Sequence, residues 1–235
     1  MRTIACLCFY VVAVLALTPL ILVCALFGLR ETVAAAGRTA LLVGRPILGL
    51  RIEVVGLDRI RPGTPFVYMS NHESFLDGPI LFAVIPRLVR VILKKEVFRI
   101  PIIGLSMRVV GFVPVDRKGV KGGKQSIDRA ARLMAERGYS YLVFPEGTRS
   151  RDGRLQPFKR GGFFLALAGR APIIPVTIRG TFGLMPRGRF FVRPGLVRVE
   201  FHEPVAVEGH TVQGMSRLMD EVRGIIRSSL GEVAI

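Results

Sequence analysis

The stretch 66–79, FVYMSNHESFLDGP, combines an apolar strand-like run, a polar turn and the first residues of a helix. Its first five residues favour a strand, whereas Pro79 suits the first turn of a helix, so we expect Asp77 or Gly78 to cap that helix. His72 then lies in the turn between strand and helix. On an ideal helix Asp77 would point about 140° away from His72, so the two side chains can meet only where the turn is not helical.

The same alternation of strand-like and helix-like runs continues along residues 51–235, with no linker, low-complexity tract or internal repeat. The predicted strands are 51–55, 66–70, 89–93, 109–115, 141–144, 173–178 and 196–201. The predicted helices are 78–84, 121–137, 161–168 and 211–230. The sequence therefore predicts one α/β domain over 51–235, with a central mixed, largely parallel sheet flanked by helices.

Residues 1–50 differ in character from the rest of the chain. No charge occurs from Thr3 to Leu29, and a helix of this length covers a hydrocarbon core of about 30 Å. Because Pro19 interrupts the run, a kinked span competes with a re-entrant or interfacial helix pair. We predict a membrane-associated helical segment over 1–50. A cleaved signal peptide is disfavoured, because the nearest small-residue site, 34–36, lies beyond a charged pair.

The charge distribution points to an anionic partner surface. The formal net charge is +17 and the mean hydropathy is +0.45, which together favour a basic protein at a membrane. Four arginines closely follow the apolar run and one precedes it, which predicts a cytoplasmic location for the bulk of the chain. They are Arg30, Arg38, Arg45 and Arg51, against Arg2. The spacing within 30–50 predicts an amphipathic helix that lies on lipid.

Several classes of protein are disfavoured by spacing and composition. The three cysteines all lie in the apolar run, so neither a disulfide framework nor a metal site is indicated. His202 and His210 lack zinc-ligand spacing, and no Gly-x-Ser-x-Gly elbow supplies a hydrolase nucleophile. Nucleic-acid binding is disfavoured because no aromatic residues are interleaved with the basic ones.

His72 and Asp77 are the first candidates for chemistry. A carboxylate that holds one imidazole nitrogen fixes the tautomer, and the other nitrogen can then take a proton from a hydroxyl. This pair would be a general base without a protein nucleophile. The alternative is that His72 is an ordinary loop histidine and Asp77 only a helix cap.

The second candidate is the segment 144–150, FPEGTRS, in which a strand ends in Pro and Gly and presents a carboxylate and a guanidinium. Arginine matches phosphate with two hydrogen bonds, and glycine lets backbone N–H groups approach an anion, which indicates a phosphate pocket. A surface turn with an ion pair between Glu146 and Arg149 is the alternative. Further strand-end cations, at 94–95 and at 117, could converge on the same anion.

Taken together, these blocks resemble the glycerolipid acyltransferase family, in particular its bacterial 1-acyl-sn-glycerol-3-phosphate acyltransferases. The resemblance covers about residues 70–180 and rests on an ordered set of motifs rather than on any one of them. The set is Asn71-His72-x-Ser74-x-x-Asp77 (the HX4D motif), Lys95-Glu96 with Pro101 and Gly104, Val115-Asp116-Arg117, Phe144–Ser150 and Ile174-Pro175-Val176. The segment 158–161, FKRG, also resembles a family segment near the site.

The resemblance implies transfer of a fatty acyl group from acyl-CoA or acyl carrier protein to the free sn-2 hydroxyl of lysophosphatidic acid, giving phosphatidic acid. It implies His72 as the general base and Asp77 as its orienting partner. It assigns the acceptor's glycerol phosphate to Lys95, Arg117, Glu146, Gly147, Thr148 and Arg149, with Lys94 as a substitute for Lys95. No metal or prosthetic group is implied, and the expected location is the inner (cytoplasmic) membrane, facing the cytoplasm.

Two alternatives remain open at this point. The same chemistry could act on glycerol 3-phosphate or a lyso-aminolipid, since the motifs around the base do not separate these acceptors. A non-catalytic membrane protein that binds anionic lipid would also fit the charge and the apolar run.

Overall fold

The computed structural model describes residues 1–86, 89–115 and 120–231. Its strands form a single sheet in the order β1-β7-β6-β2-β5-β3-β4, and each described pair of neighbours is parallel except β6 with β7. The strands are β1 Leu50–Val55, β2 Val67–Ser70, β3 Val89–Lys94, β4 Val113–Val115, β5 Ser140–Val143, β6 Ile173–Arg179 and β7 Gly195–Phe201. The predicted α/β fold with a mixed, largely parallel sheet is confirmed.

Helices cover both faces of this sheet. They are α1 Arg2–Phe27, α2 Arg30–Leu48, α3 Asp77–Val84, α4 Ile103–Val110, α5 Val120–Arg137, α6 Gly161–Ala168, α7 Thr181–Leu184 and α8 Met215–Leu230. Side chains alternate along β2: Val67 and Met69 pack with α5, α6 and α8, whereas Tyr68 packs with α3 and β7. Because both faces are covered, the central strands are continuous runs of buried residues.

The parallel strands β2, β5 and β3 are neighbours, so their carboxyl ends meet at one edge of the sheet. The segments that leave this edge are 71–76 after β2, 144–150 after β5, and a short 3-10 helix, Lys95–Arg99, after β3. Ligands of open α/β sheets gather at such an edge. The topology therefore brings three of the predicted motifs to one place.

The predicted strand 109–115 is wrong over its first half. Helix α4 occupies Ile103–Val110 and ends at Gly111, whose φ of 94° suits glycine, and only Val113–Val115 form a strand. A short apolar run does not distinguish a buried helix from a strand, because the burial partner decides between them. Here Val110 packs against α1 and α2.

Helix α1 is one continuous helix, although Pro19 lies inside it. It is the one helix in the described ranges that is long and apolar enough to cross a membrane, and little of it is buried. Both of its ends contact the rest of the chain, since Thr3 accepts a hydrogen bond from the Val192 backbone N–H and Cys24 packs in a cluster with Val110. The helix therefore lies along the α/β core instead of projecting from it.

The sequence predicts that the apolar face of helix α2 contacts lipid, and this prediction is wrong for the positions of α2 that are buried in the protein. Val33 and Ala34 pack against α1 and α4, where they bury apolar area within the protein. Two arginines on α2 also hydrogen-bond to the α/β domain: Arg30 donates to the Tyr139 hydroxyl at 3.2 Å, and Arg38 donates to the Pro86 carbonyl at 3.3 Å. Spacing within one helix could not show this, because it does not reveal which neighbour covers a face.

Candidate active site

The His72 imidazole and the Asp77 carboxylate are in direct contact. Nδ1 of His72 lies 2.9 Å from Oδ2 of Asp77, the Asp77 side chain is fully buried, and the His72 side chain is 20% exposed. Residues 71–76 are not helical, and α3 begins only at Asp77. The expectation that a non-helical turn lets these side chains meet is therefore confirmed.

Asp77 Oδ2 also accepts two backbone hydrogen bonds, from the N–H of Glu73 at 2.7 Å and from the N–H of Ser74 at 2.8 Å. An oxygen that accepts from these groups is an acceptor toward the imidazole too, which assigns the proton of the neutral ring to Nδ1 and leaves Nε2 unprotonated. The prediction that Asp77 or Gly78 is the helix cap is wrong, since Leu76 occupies that position. The carboxylate turns back over residues 72–74 instead.

The segment 144–150 holds the backbone of His72 from both sides. Glu146 Oε1 accepts the His72 N–H at 2.6 Å, and the Ser150 N–H donates to the His72 carbonyl at 2.7 Å. The Phe144 ring stacks on the imidazole at 4.0 Å between centroids. His72 and the segment 144–150 are therefore one structural unit.

Glu146 lies beneath this unit, with only 2% of its surface exposed. Its other oxygen, Oε2, accepts the Gln156 backbone N–H at 3.0 Å. The resemblance assigned Glu146 to the acceptor; in the structure its carboxylate is buried and accepts two backbone N–H groups, one of which belongs to His72.

Gly147, Thr148 and Arg149 form the outer part of the same segment, and Thr148 is exposed. Gly147 has a φ of 73°, which favours glycine, and a Cβ there would lie 3.0 Å from the amine nitrogen of the flexible Lys159 side chain. Lys159, from the FKRG segment, thus places a cation beside this backbone.

Arg187 is a cation at this site that sequence analysis missed. Its Nη1 donates to the Thr148 hydroxyl at 3.4 Å and to the Arg149 carbonyl at 3.2 Å. The Ser74 hydroxyl donates to the Met185 carbonyl at 2.7 Å, and this hydrogen bond holds the segment that carries Arg187 next to the turn with His72. No local motif marks Arg187, since its partners lie 38 or more residues away in the sequence.

Lys95 begins the 3-10 helix after β3, at the same sheet edge and one strand along from Glu146. Lys94, its proposed substitute, is paired with Glu96 at 3.6 Å. Arg117 and Asp116 lie outside the described residues. No group of three or more His, Cys, Asp or Glu side chains in the described ranges could hold a metal ion.

Glu73 is a second residue that sequence analysis did not single out. It is buried beside the His72–Asp77 pair and accepts a hydrogen bond from the Asn71 amide at 3.0 Å. Burial, followed by the negative charge of Asp77, raises the pKa of Glu73 to about 7. A third carboxyl group near His72 therefore titrates close to neutral pH.

We expect Glu73→Gln to flatten the pH dependence of stability. The folded pKa of Glu73, about 7, lies above the ordinary value of 4.5, so the folded protein binds more protons than the unfolded chain between these values. Stability therefore falls as the pH rises from 4.5 to about 7. Melting temperatures of wild type and Glu73→Gln at about pH 5 and about pH 8 measure the difference. An equal change in melting temperature between the two pH values for wild type and Glu73→Gln would contradict this prediction. The same flattening in the exposed control Glu221→Gln would also contradict it.

Comparisons with known proteins identify the family of this chain. A family model described as Acyltransferase matches residues 51–179, more than half of the chain and all of the site described above except Arg187. The chain belongs to the acyltransferase family. Within this family it is 37% identical over 186 residues to the 1-acyl-sn-glycerol-3-phosphate acyltransferase BAT2, chloroplastic, of Brassica napus, and the match covers 78% of the chain.

Two other relatives match over more of the chain. It is 32% identical to the 1-acyl-sn-glycerol-3-phosphate acyltransferase alpha of Mus musculus, over 90% of the chain and 75% of the mouse protein. The crystal structure of the 1-acyl-sn-glycerophosphate (LPA) acyltransferase PlsC from Thermotoga maritima superposes with a TM-score of 0.81 at 26% identity, covering 99% of this chain and 97% of that one. The chain spans about half the length of three plant relatives that it matches, covering 52%, 58% and 44% of those proteins.

Proposed function

We propose that this acyltransferase moves a fatty acyl group from a thioester, acyl-CoA or acyl carrier protein, to the sn-2 hydroxyl of 1-acyl-glycerol 3-phosphate, producing phosphatidic acid. The names of the relatives support the acceptor, and the contact between His72 Nδ1 and Asp77 Oδ2 at 2.9 Å carries the mechanism. The proposal uses no metal and no prosthetic group.

His72 is the base in this mechanism. Its Nε2 takes the hydroxyl proton as the acceptor oxygen attacks the thioester carbonyl carbon, and the imidazolium is stabilised by the Asp77 carboxylate. When the tetrahedral intermediate collapses, the C–S bond breaks and the imidazolium returns the proton to the departing thiolate. Because the sequence offers no serine elbow, the acyl group passes directly from donor to acceptor.

The acceptor phosphate binds to the cations around the segment 147–149. Arg149 provides a two-point guanidinium contact, and the backbone at Gly147 and the Thr148 hydroxyl provide further donors. The family resemblance also assigns acceptor contacts to Lys95, at the end of the neighbouring strand β3, and to Arg117, which lies outside the described residues. Lys159 and Arg187 add two cations whose positions beside this segment are seen in the structure.

The membrane supplies the acceptor. Lysophosphatidic acid has one acyl chain and an anionic head, so an enzyme that uses it works where cations meet an apolar surface. The exposed apolar α1, which lies along the α/β core, meets this requirement. We assign the catalytic domain to the cytoplasmic side of the inner membrane, because arginines follow the apolar run.

The test is a purified assay in lipid with a labelled acyl thioester and a panel of lyso-acceptors. We expect labelled phosphatidic acid from lysophosphatidic acid and no comparable product from glycerol 3-phosphate or a lyso-aminolipid. Preferred acylation of either of these would replace the proposed acceptor, and binding of anionic lipid without turnover would support the non-catalytic alternative. Running acyl-CoA and acyl carrier protein in parallel identifies the donor.

Arg149→Ala should weaken the use of the acceptor. Loss of a charge-assisted contact of about 1.5–3 kcal/mol raises the acceptor KM by roughly 10- to 100-fold, with a smaller effect on the donor KM. Steady-state kinetics with each substrate varied in turn separate the two. Arg217→Ala, an exposed arginine on α8, is the control. An Arg149→Ala enzyme with an unchanged acceptor KM and rate would reject this role.

A further inference from the structure

The loop between α7 and β7, residues 185–194, has an unusual surface. Phe190 and Phe191 are 57% and 61% exposed, and their rings pack edge-to-face on each other at 5.6 Å between centroids. Arginines Arg187, Arg189 and Arg193 lie on both sides of them and are also exposed. Two exposed aromatic rings flanked by cations match a surface with an apolar interior and anionic groups above it, which describes a bilayer containing anionic phospholipid.

The loop continues the apolar surface of α1. The Val192 N–H donates to the Thr3 hydroxyl at 2.9 Å, which fixes the residue after Phe191 to the first turn of α1. The next apolar residues of that helix, Ile4 and Leu7, are about half exposed. A membrane that covers this end of α1 therefore also reaches the phenylalanine pair.

The other end of the loop lies at the candidate active site, where Met185 contacts Ser74 and Arg187 contacts the segment 148–149. The loop thus links the site to the first turn of α1. A protein partner would need a larger surface than two rings, and the continuity with α1 favours lipid.

We propose that the loop 185–194 is a second membrane-contacting element, in which Phe190 and Phe191 enter the acyl-chain region and Arg189 and Arg193 bind anionic phospholipid headgroups. This inference goes beyond the proposed function, because it concerns how the protein sits on the bilayer and needs no substrate.

The chain contains no tryptophan, so a single substitution creates a unique fluorescent probe. Phe190→Trp and Phe191→Trp place the probe in the loop, in the full chain reconstituted into vesicles of phosphatidylcholine with or without phosphatidylglycerol. Val212→Trp is the control, because Val212 is 46% exposed and precedes α8, on the other face of the sheet. Two loop probes guard against one position being perturbed by the larger ring.

We expect lipids with brominated acyl chains to quench both loop probes and shift their emission to the blue, and to leave the Val212→Trp probe unquenched. Loop probes quenched no more than the control would overturn the proposal, since the loop would then lie in water or against protein. We also expect phosphatidylglycerol to increase the quenching, and the added changes Arg189→Gln and Arg193→Gln to abolish this increase. Quenching of the same extent with and without phosphatidylglycerol would overturn the assignment of Arg189 and Arg193 to anionic headgroups.

Discussion

His72→Ala should abolish acyl transfer while the protein still folds and binds membrane. The acceptor hydroxyl cannot lose its proton unaided at neutral pH, and removal of a positioned base costs about 10²–10⁴ in rate. Replacing the ring deletes Nε2 and also the contact with Asp77, whereas the backbone bonds to Glu146 and Ser150 remain. The rate of phosphatidic acid formation measures the loss, with circular dichroism and vesicle flotation as checks on folding and attachment.

His202→Gln is the matched control for this variant. His202 is also partly buried and also approaches a carboxylate, since its Nδ1 lies 3.8 Å from Glu200, and its Nε2 contacts the Thr177 hydroxyl at 2.8 Å. It lies after β7 and is not part of the proposed mechanism, so turnover should remain near that of wild type. Turnover retained by His72→Ala would eliminate His72 as the base.

Asp77→Asn should reduce the catalytic rate strongly, with a smaller change in KM. The asparagine oxygen can still accept the N–H groups of Glu73 and Ser74, so the turn is kept, but the negative charge that stabilises the imidazolium is lost. The expected fall in kcat is about 10²-fold or more, comparable to loss of general-base catalysis. Separate measurement of kcat and KM for the acceptor tests this.

Asp220→Asn, an exposed aspartate on α8, removes the same charge away from the site and should leave both constants unchanged. A fully active Asp77→Asn would mean that the side chain only organises the turn. A large fall in melting temperature that accounts for the lost activity would likewise contradict a role in stabilising the imidazolium.

The sheet could be predicted because its strands carry a strong local signal. Residues 173–178 are a continuous apolar run of the kind that a doubly covered strand requires, and β6 is found at Ile173–Arg179. The meeting of His72 and Asp77 was open to prediction for a similar reason: the two residues are five apart, and the geometry of a short turn restricts where their side chains point.

Contacts across the chain could not be predicted in this way. The bond from the His72 N–H to Glu146 spans 74 residues and exists because β2 and β5 are neighbours in the sheet. Strand order is a property of the whole fold, which no local pattern encodes. The position of Arg187 could not be predicted for the same reason, since only the folded loop brings it into contact with residues 148–149.

Helices α2 and α4 show how tertiary packing overrides local pattern. A spacing of arginines along α2 suggested a lipid-facing helix, yet Val33 and Ala34 are buried against protein and Arg30 contacts Tyr139. In α4, a valine-rich run became helical because its apolar side chains fill the space beside α1. In both cases the deciding partner was another helix.

The central claim is that the acyl group passes directly from donor to acceptor while His72 acts as the base. A time course with labelled acyl thioester and lysophosphatidic acid tests this claim most directly. The account predicts that free thiol and labelled phosphatidic acid appear together from the first turnover, that no label stays on the protein, and that His72→Ala forms neither product. A burst of thiol that equals the enzyme concentration and precedes phosphatidic acid, with the label bound to the protein, would contradict the account.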